Sequence, residues 1–116
     1  MNMSFEGKGA VGVVHVNETR IDAAVAITFK DQFRDLIGDA AGDVILDLSK
    51  VDFLDSSGLG AVVAVRKLLG ADRVLHLAAL TPAVDKVMTL TRMNTVFPIH
   101  ENVDCALADH GTPLAG

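Results

Sequence analysis

The strongest constraint on the fold of this chain is the continuous segment from Val44 to Leu69. It begins with the run Val44 to Leu48, which is apolar except for Asp47 and has the length and composition of a strand buried on both faces. From Leu59 the chain is apolar again for most positions up to Leu69, and a glycine follows that can end a helix. The segment therefore predicts a central strand, a short acidic turn and a helix.

The turn before this helix carries Asp55, Ser56, Ser57 and Gly58. Asp and Ser are preferred N-cap residues because their side-chain oxygens accept hydrogen bonds from the free amides of the first helical turn. A hydroxyl at this place also lies beside the positive end of the helix dipole, so the domain would tolerate a phosphate attached there. Taken alone, the two serines are candidate caps as well as candidate phosphate acceptors, and Asp55 is a candidate cap or partner contact.

Composition excludes several classes of function. The 116 residues are 50% apolar, which suits one compact domain with its own core. The formal net charge is −5 and no Lys/Arg cluster is present, whereas nucleic-acid binding requires clustered cations. No apolar run approaches the roughly 20 residues of a membrane span, and no signal peptide is visible. We therefore expect a cytoplasmic protein without membrane insertion.

Neither cysteine nor histidine indicates a metal site. Cys105 is the sole cysteine, so it forms no internal disulfide and offers no metal-ligand spacing. His15 and His76 fall in strand patterns, where hydrogen-bonded structural roles are expected, and His100 and His110 are expected at the surface. We expect no metal and no cofactor.

Apolar periodicity divides the chain into alternating strands and helices. Further strands are predicted at residues 11–16 and 74–80, with a short edge strand at 96–99, and helices are predicted to start near Phe29, Thr81-Pro82 and Asn102. The first helix is predicted to end at Gly38 or Gly42, the third at Asn94 and the last near Gly111 and Pro113. Ile21 and Asp22 are assigned to a link, residues 1–9 to a flexible or edge-pairing end, and residues 111–116 to a flexible end.

This order predicts a single α/β domain over residues 1–116. Alternation of strands and helices favours a mostly parallel or mixed sheet of about four to five strands, with about four helices packed on it. The helix that starts near Leu59 is apolar nearly all round. Such a helix is either buried on two sides or offers its second face to a partner.

The segment from Leu46 to Gly60, with the sequence LDLSKVDFLDSSGLG, resembles the signature of STAS domains and, more narrowly, of bacterial anti-sigma factor antagonists. Asp22 in the link before the first helix adds to the resemblance. So do the helix start at Thr81-Pro82 and the pairs Met93-Asn94 and Val96-Phe97. Together these matches cover about residues 10–107.

The resemblance implies a function in partner switching. In such antagonists, an ATP-binding serine kinase that also acts as the anti-sigma factor phosphorylates a serine of this motif, and a serine phosphatase reverses the modification. The unphosphorylated antagonist binds the kinase and releases the sigma factor, and phosphorylation switches binding off. The implied acceptor is Ser56, with Ser57 as the alternative. The implied partner-binding residues are Asp22, Asp55, Ser56, Ser57, Gly58 and Leu59.

The sequence is also compatible with other functions. The main alternative is a constitutive STAS subunit of a lipid-transport complex or another signalling complex, in which no phosphate is added. Nucleotide binding is a weaker alternative, because Gly58 and Gly60 lack the third glycine of a dinucleotide site and no P-loop motif is present. Ser56 also lacks the flanking glycines of a nucleophile elbow. We therefore expect that the protein is not an enzyme.

Overall fold

Seven strands and four helices alternate along residues 1–109, the part of the chain that the computed structural model describes. In chain order they are β1 Met3–Lys8, β2 Val11–Val16, β3 Arg20–Ile21, α1 Ala26–Ile37, β4 Val44–Asp47, β5 Phe53–Leu54, α2 Ser56–Leu69, β6 Leu75–Ala78, α3 Pro82–Leu90, β7 Ile99–His100 and α4 Val103–Asp109. A 3₁₀ turn at Met93–Thr95 lies between α3 and β7. The predicted flexible end at 111–116 and the predicted end of the last helix near Gly111 lie outside the described residues.

Five strands form a mixed sheet in the order β1-β2-β4-β6-β7. Only the pair β1 and β2 is antiparallel, and the other neighbours are parallel. In the middle of the sheet Val14 pairs with Leu46, and Leu46 pairs with Leu77. These central strands are apolar runs because both of their faces are covered. The predicted single α/β domain with a mixed sheet and four helices is confirmed.

The two faces of this sheet carry separate clusters of buried side chains. On one face, residues such as Val14 and Leu46 pack against side chains of α1, α2 and α3 that include Phe33 and Val62. On the other face, the smaller cluster is covered by α4 through Ala106, and its sheet residues are Val11, Val13, Ile45 and Ala78. The alternation of side chains along each strand separates the two clusters.

A second, two-stranded parallel sheet was not predicted. Arg20 pairs with Phe53 and Ile21 pairs with Leu54, so β3 and β5 lie side by side. The assignments of a link at Ile21 and of a turn between the central strand and its helix are therefore wrong at these positions. This small sheet holds the start of α2 next to the start of the loop that leads into α1.

Several element ends differ from the predicted ones for local reasons. α1 begins at Ala26, before Phe29, and ends at Gly38, one of the two predicted stops, whose φ of 45° favours glycine. α2 begins at Ser56, and α3 stops at Leu90 shortly before Arg92, which has a φ of 60°. The last edge strand is Ile99–His100, beginning just after a proline that lacks an amide hydrogen. Residues 3–8 form the edge strand β1.

Candidate functional site

Asp55 is the residue on which the local structure around the predicted serines depends. It is the N-cap of α2, with extended backbone angles, and its Oδ1 accepts a hydrogen bond from the amide of Gly58 at 2.8 Å. Its Oδ2 accepts a second bond from the amide of Ala23 at 3.2 Å. One carboxylate therefore caps the helix and ties it to the loop that leads into α1.

Gly58 is required by the close approach of α2 to β3. A Cβ atom at this position would lie 1.9 Å from the carbonyl oxygen of Ile21 and 2.9 Å from the Cδ1 atom of Leu54. Only a residue without a side chain allows the first turn of α2 to pack on the small sheet. At Gly60 a Cβ would meet nothing within 4 Å, and nothing in the structure explains a glycine there.

Ser56 and Ser57 occupy the first two positions of α2, and both are exposed. Neither is the N-cap, because Asp55 takes that position. Within residues 1–109 neither hydroxyl has a hydrogen-bond partner, so both are accessible to another molecule. Their role as phosphate acceptors stays a prediction.

Asp22 lies beside this helix start. Its Oδ1 accepts a bond from the amide of Ala24 at 3.1 Å, which tightens the loop after β3. Its Oδ2 accepts a bond from the Nε of Arg20 at 3.2 Å. Because the amide of Ala23 binds Asp55, the structure brings Asp22 together with the α2 start. The six residues predicted as a partner surface are thus gathered in one place, and their contacts with a partner stay a prediction.

The helix face next to these residues is mostly internal. Ala61, Val62 and Val65 are buried, and Leu59 and Val63 are half-buried against the same core. The apolar second side of α2 therefore packs largely inside the domain. Among the predicted partner residues, Gly58 is buried and Leu59 is half-buried.

Arg20 and Phe53 belong to the site but were missed from the sequence. The guanidinium carbon of Arg20 lies 4.1 Å from the centre of the Phe53 ring, a distance typical of a cation–π contact. A signal was present, because the tripeptides Arg20-Ile21-Asp22 and Phe53-Leu54-Asp55 share a buried aliphatic residue followed by aspartate. The two tripeptides pair in register at their first two positions.

A separate polar cluster joins β1, β2 and β4. His15 Nδ1 lies 2.7 Å from Asp47 Oδ2, and His15 Nε2 lies 3.2 Å from Glu6 Oε1. Partial burial lowers the pKa of His15, but the hydrogen bonds to Asp47 and Glu6 outweigh it and raise this pKa above its ordinary value. This arrangement fits the hydrogen-bonded structural role predicted for His15.

The pKa values of the two carboxylates in this cluster shift in the opposite direction. Burial raises the pKa of Asp47, but the hydrogen bonds from Ser49 and His15 outweigh it and lower this pKa below its ordinary value. The pKa of Glu6 is lowered by its hydrogen bond to His15 and then by Lys8. The cluster therefore favours a protonated histidine between two ionised carboxylates.

The other predicted structural histidine is also hydrogen-bonded. His76 is buried in β6, and its Nδ1 lies 2.9 Å from the Nε2 of His100 on β7. Asp43 Oδ2 lies 3.9 Å from His76 Nε2.

Over residues 1–109, no group of three or more His, Cys, Asp or Glu side chains could hold a metal ion. In the same range no helix is both long enough and apolar enough to cross a membrane.

Comparison with solved structures gives several matches over nearly the whole chain. An anti-sigma factor antagonist from Mycobacterium paratuberculosis is 28% identical, with a TM-score of 0.82 over 93% of this chain and 92% of that chain. The unphosphorylated form of the anti-sigma factor antagonist SpoIIAA is 19% identical, with a TM-score of 0.73 over 97% of this chain and 100% of that chain.

Two further matches show how widely the fold is shared. The phosphorylated form of SpoIIAA, described as a Bacillus cell-fate determinant, is 18% identical with a TM-score of 0.66, over 94% of this chain and 99% of that chain. The murine anion transporter Slc26a9 is 14% identical with a TM-score of 0.81, over 93% of this chain but only 19% of that chain.

The family model of the STAS domain matches residues 2–106. Since this match spans nearly the entire chain, the protein belongs to the STAS domain family.

Proposed function

We propose that this protein is an anti-sigma factor antagonist regulated by phosphorylation of Ser56. The observation that carries the proposal is the position of Ser56: it is the first residue of α2, exposed, and next to a carboxylate that accepts a backbone amide bond on each oxygen. In its unphosphorylated form the protein binds an anti-sigma factor that is also an ATP-binding serine kinase, and the sigma factor is released. A serine phosphatase restores this form after phosphorylation.

In this proposal the chain is a substrate and not an enzyme. The Oγ atom of Ser56 attacks the γ-phosphorus of the kinase-bound ATP, the bond from that phosphorus to the bridging oxygen breaks, and ADP leaves. The serine proton passes to a base of the kinase. The carboxylate of Asp55 instead holds the amides of Ala23 and Gly58.

Phosphorylation changes the charge of the site while leaving the fold in place. A phosphate adds about −1.5 to −2 charges at pH 7, beside Asp55 and close in the chain to the exposed Asp52. A partner surface that accommodates a neutral serine would lose affinity through repulsion and through the cost of removing water from the phosphate. SpoIIAA, which shares this fold, is known in a phosphorylated form, so the fold is compatible with the modification in that protein.

The proposal is tested by mass spectrometry of the protein purified from its native host. We expect a species heavier by one phosphoryl group, with the modification mapped to the peptide that contains Ser56. Ser56→Ala should abolish this species, whereas Ser4→Ala, which removes an exposed serine of β1, should leave it unchanged. If Ser57→Ala removes the phosphate and Ser56→Ala does not, the acceptor is Ser57.

Binding is tested by identifying the proteins that co-purify. An ATP-binding serine kinase should be captured by the unphosphorylated protein and not by the phosphorylated protein. Capture of the same kinase by both forms would contradict the switch.

A second candidate is a constitutive STAS subunit that is never phosphorylated. It is favoured by the match to Slc26a9, in which the matched region is 19% of a much longer transporter chain. In that case the protein should remain unmodified under all growth conditions and should co-purify with the same complex throughout. A membrane transport complex among the captured proteins would support this candidate over the antagonist.

A further inference from the structure

Arg20 is a cation held at the edge of the candidate site without being fully engaged. Its Nε donates to Asp22 at 3.2 Å, and its guanidinium group covers the ring of Phe53. The side chain is 58% exposed, and its terminal Nη groups have no acceptor among residues 1–109. The fork of two nitrogens that binds a phosphate bidentately therefore remains available.

The charges around Arg20 are strongly unbalanced. The two segments that meet at the site, residues 17–25 and 50–60, carry four carboxylates and two cations, and the cations are Arg20 and Lys50. Lys50 donates to the side chain of Asn17 at 3.3 Å. A phosphate on Ser56 would add to this excess of negative charge, and Arg20 belongs to the small sheet on which the first turn of α2 packs.

The register of the small sheet brings Arg20 within reach of Ser56. Arg20 lies directly opposite Phe53 on the neighbouring strand, and adjacent strands are about 4.8 Å apart. Ser56 is three residues beyond Phe53, which is about 10 Å along an extended chain and less where the chain turns into α2. An arginine and a phosphoserine that extend towards each other can bridge this separation.

We propose that Arg20 is the intramolecular partner of the phosphate on Ser56, an inference that rests on the proposed function. On phosphorylation the free Nη groups of Arg20 bind the phosphate, which has more charge and more acceptor oxygens than the carboxylate of Asp22 and draws the guanidinium group away from it. The exchange neutralises part of the added charge and leaves Asp22 without its cation. The partner surface then changes at Asp22 and Ser56 together, although the modification is made only at Ser56.

The inference is tested by titration of a phosphoserine that is incorporated at position 56 during synthesis, so that neither a kinase nor a partner is needed. The readout is the second pKa of the phosphate, followed by ³¹P NMR, which is about 6 for a free phosphoserine. We expect Arg20→Gln to raise this pKa by a few tenths of a pH unit, because the ionised phosphate loses its cation. Arg20→Lys should give a smaller rise, since it keeps the charge but not the fork.

The matched control is Arg34→Gln. Arg34 is an exposed arginine of α1 that pairs with Asp31 at 3.3 Å, and its removal makes the same change in net charge. It should leave the phosphate pKa unchanged at about 0.1 M salt, because Arg34 is paired with Asp31 on another element and exposed charges more than about 10 Å apart are screened there. An equal shift for Arg34→Gln and Arg20→Gln, or no shift for either, would overturn the assignment of Arg20.

Misfolding and loss of function can each be distinguished from loss of the contact between Arg20 and the phosphate. The unphosphorylated Arg20→Gln protein should melt close to the wild-type temperature because its side chain is exposed, and if it does not fold, Arg20→Lys decides the question by the presence or absence of a rise. Failure to bind any anti-sigma factor would contradict the proposed function without changing this titration. An unchanged phosphate pKa would contradict only the role of Arg20.

Discussion

Asp47 ends β4 and Asp55 directly follows β5, yet the structure uses these two carboxylates differently. Asp55 binds the amides of Gly58 and Ala23, which carry no charge and do not titrate. Asp47 binds the amide of Ser49 but also His15, which does titrate. Asp55 therefore holds backbone amides in place, whereas Asp47 also takes part in a charge interaction with His15.

This difference indicates how the candidate site is controlled. Near Ser56 the carboxylate of Asp55 binds backbone amides, which do not titrate, and so holds two backbone segments in place. The group that can change the charge there is the serine, through modification. The cluster at His15 responds to protons instead, and it links the edge strand β1 to β2 and β4. Variants that act on one of these two regions and not on the other test this difference.

The largest effect is expected for Gly58→Ala. The added methyl group would overlap the carbonyl of Ile21, so α2 must move away from the small sheet. We expect a loss of about 3 kcal/mol in the free energy of unfolding, measured by urea denaturation. The control is Gly60→Ala, where the methyl group meets nothing and helix propensity favours alanine by up to about 1 kcal/mol. Equal destabilisation by both variants would contradict the packing argument.

Asp55→Ala should have the next largest effect. It removes the acceptor for the amides of Gly58 and Ala23, and loss of an N-cap typically costs about 1–2 kcal/mol. Because its partners are amides, this loss should be the same at about pH 6 and at about pH 8.5. A loss that differs clearly between the two pH values would show that a group titrating in this range is coupled to the Asp55 contacts, and it would remove the contrast with Asp47.

The central part of the fold could be predicted from the sequence because its signals are long. The strand that begins at Val44 and the helix that ends at Leu69 are apolar runs with few competing interpretations. The alternation of such runs was also enough to predict the mixed sheet. Predicting β3 and β5 was not possible in the same way, because two residues are too few to show a period.

The candidate site was located by its motif, but its internal contacts could not be predicted. Asp55 could be a cap or a partner contact, and its second bond, from the amide of Ala23, lies 32 positions away in the chain and is not visible in the local pattern. The need for glycine at position 58 depends equally on Ile21 in another strand. Arg20 was missed because its importance comes from pairing with Phe53, and the aliphatic residue and aspartate that follow each of them form too short a pattern to establish that pairing.

A smaller, pH-dependent effect is expected for His15→Gln. The pKa of His15 is raised in the folded protein, so its contribution is complete below its unfolded value near 6.5 and is lost as the pH rises through the folded value. Asp47 has a lowered pKa, so its part is present above about 4 and is lost as the pH falls through its folded value. The interaction between His15 and Asp47 therefore stabilises the fold fully between about pH 4 and about pH 6.5.

We therefore expect wild type to exceed His15→Gln in stability at about pH 6, by less than about 1 kcal/mol because the pair is partly screened by solvent. The difference should shrink at about pH 8.5. Urea denaturation at both pH values measures it, with Asp55→Ala as the variant whose effect stays constant. A difference that grows with pH would show that the neutral histidine is the stabilising form.

The smallest effect on stability is expected for Glu6→Gln, because Glu6 is exposed and solvent screens its contact with His15. Its effect should appear instead in the titration of His15, followed by NMR. Both carboxylates raise the pKa of His15, and the hydrogen bond to Asp47 is shorter and contributes more. Asp47→Asn should therefore lower the midpoint more than Glu6→Gln does. The reverse order would mean that the edge strand β1, and not the central strand β4, controls the charge of His15.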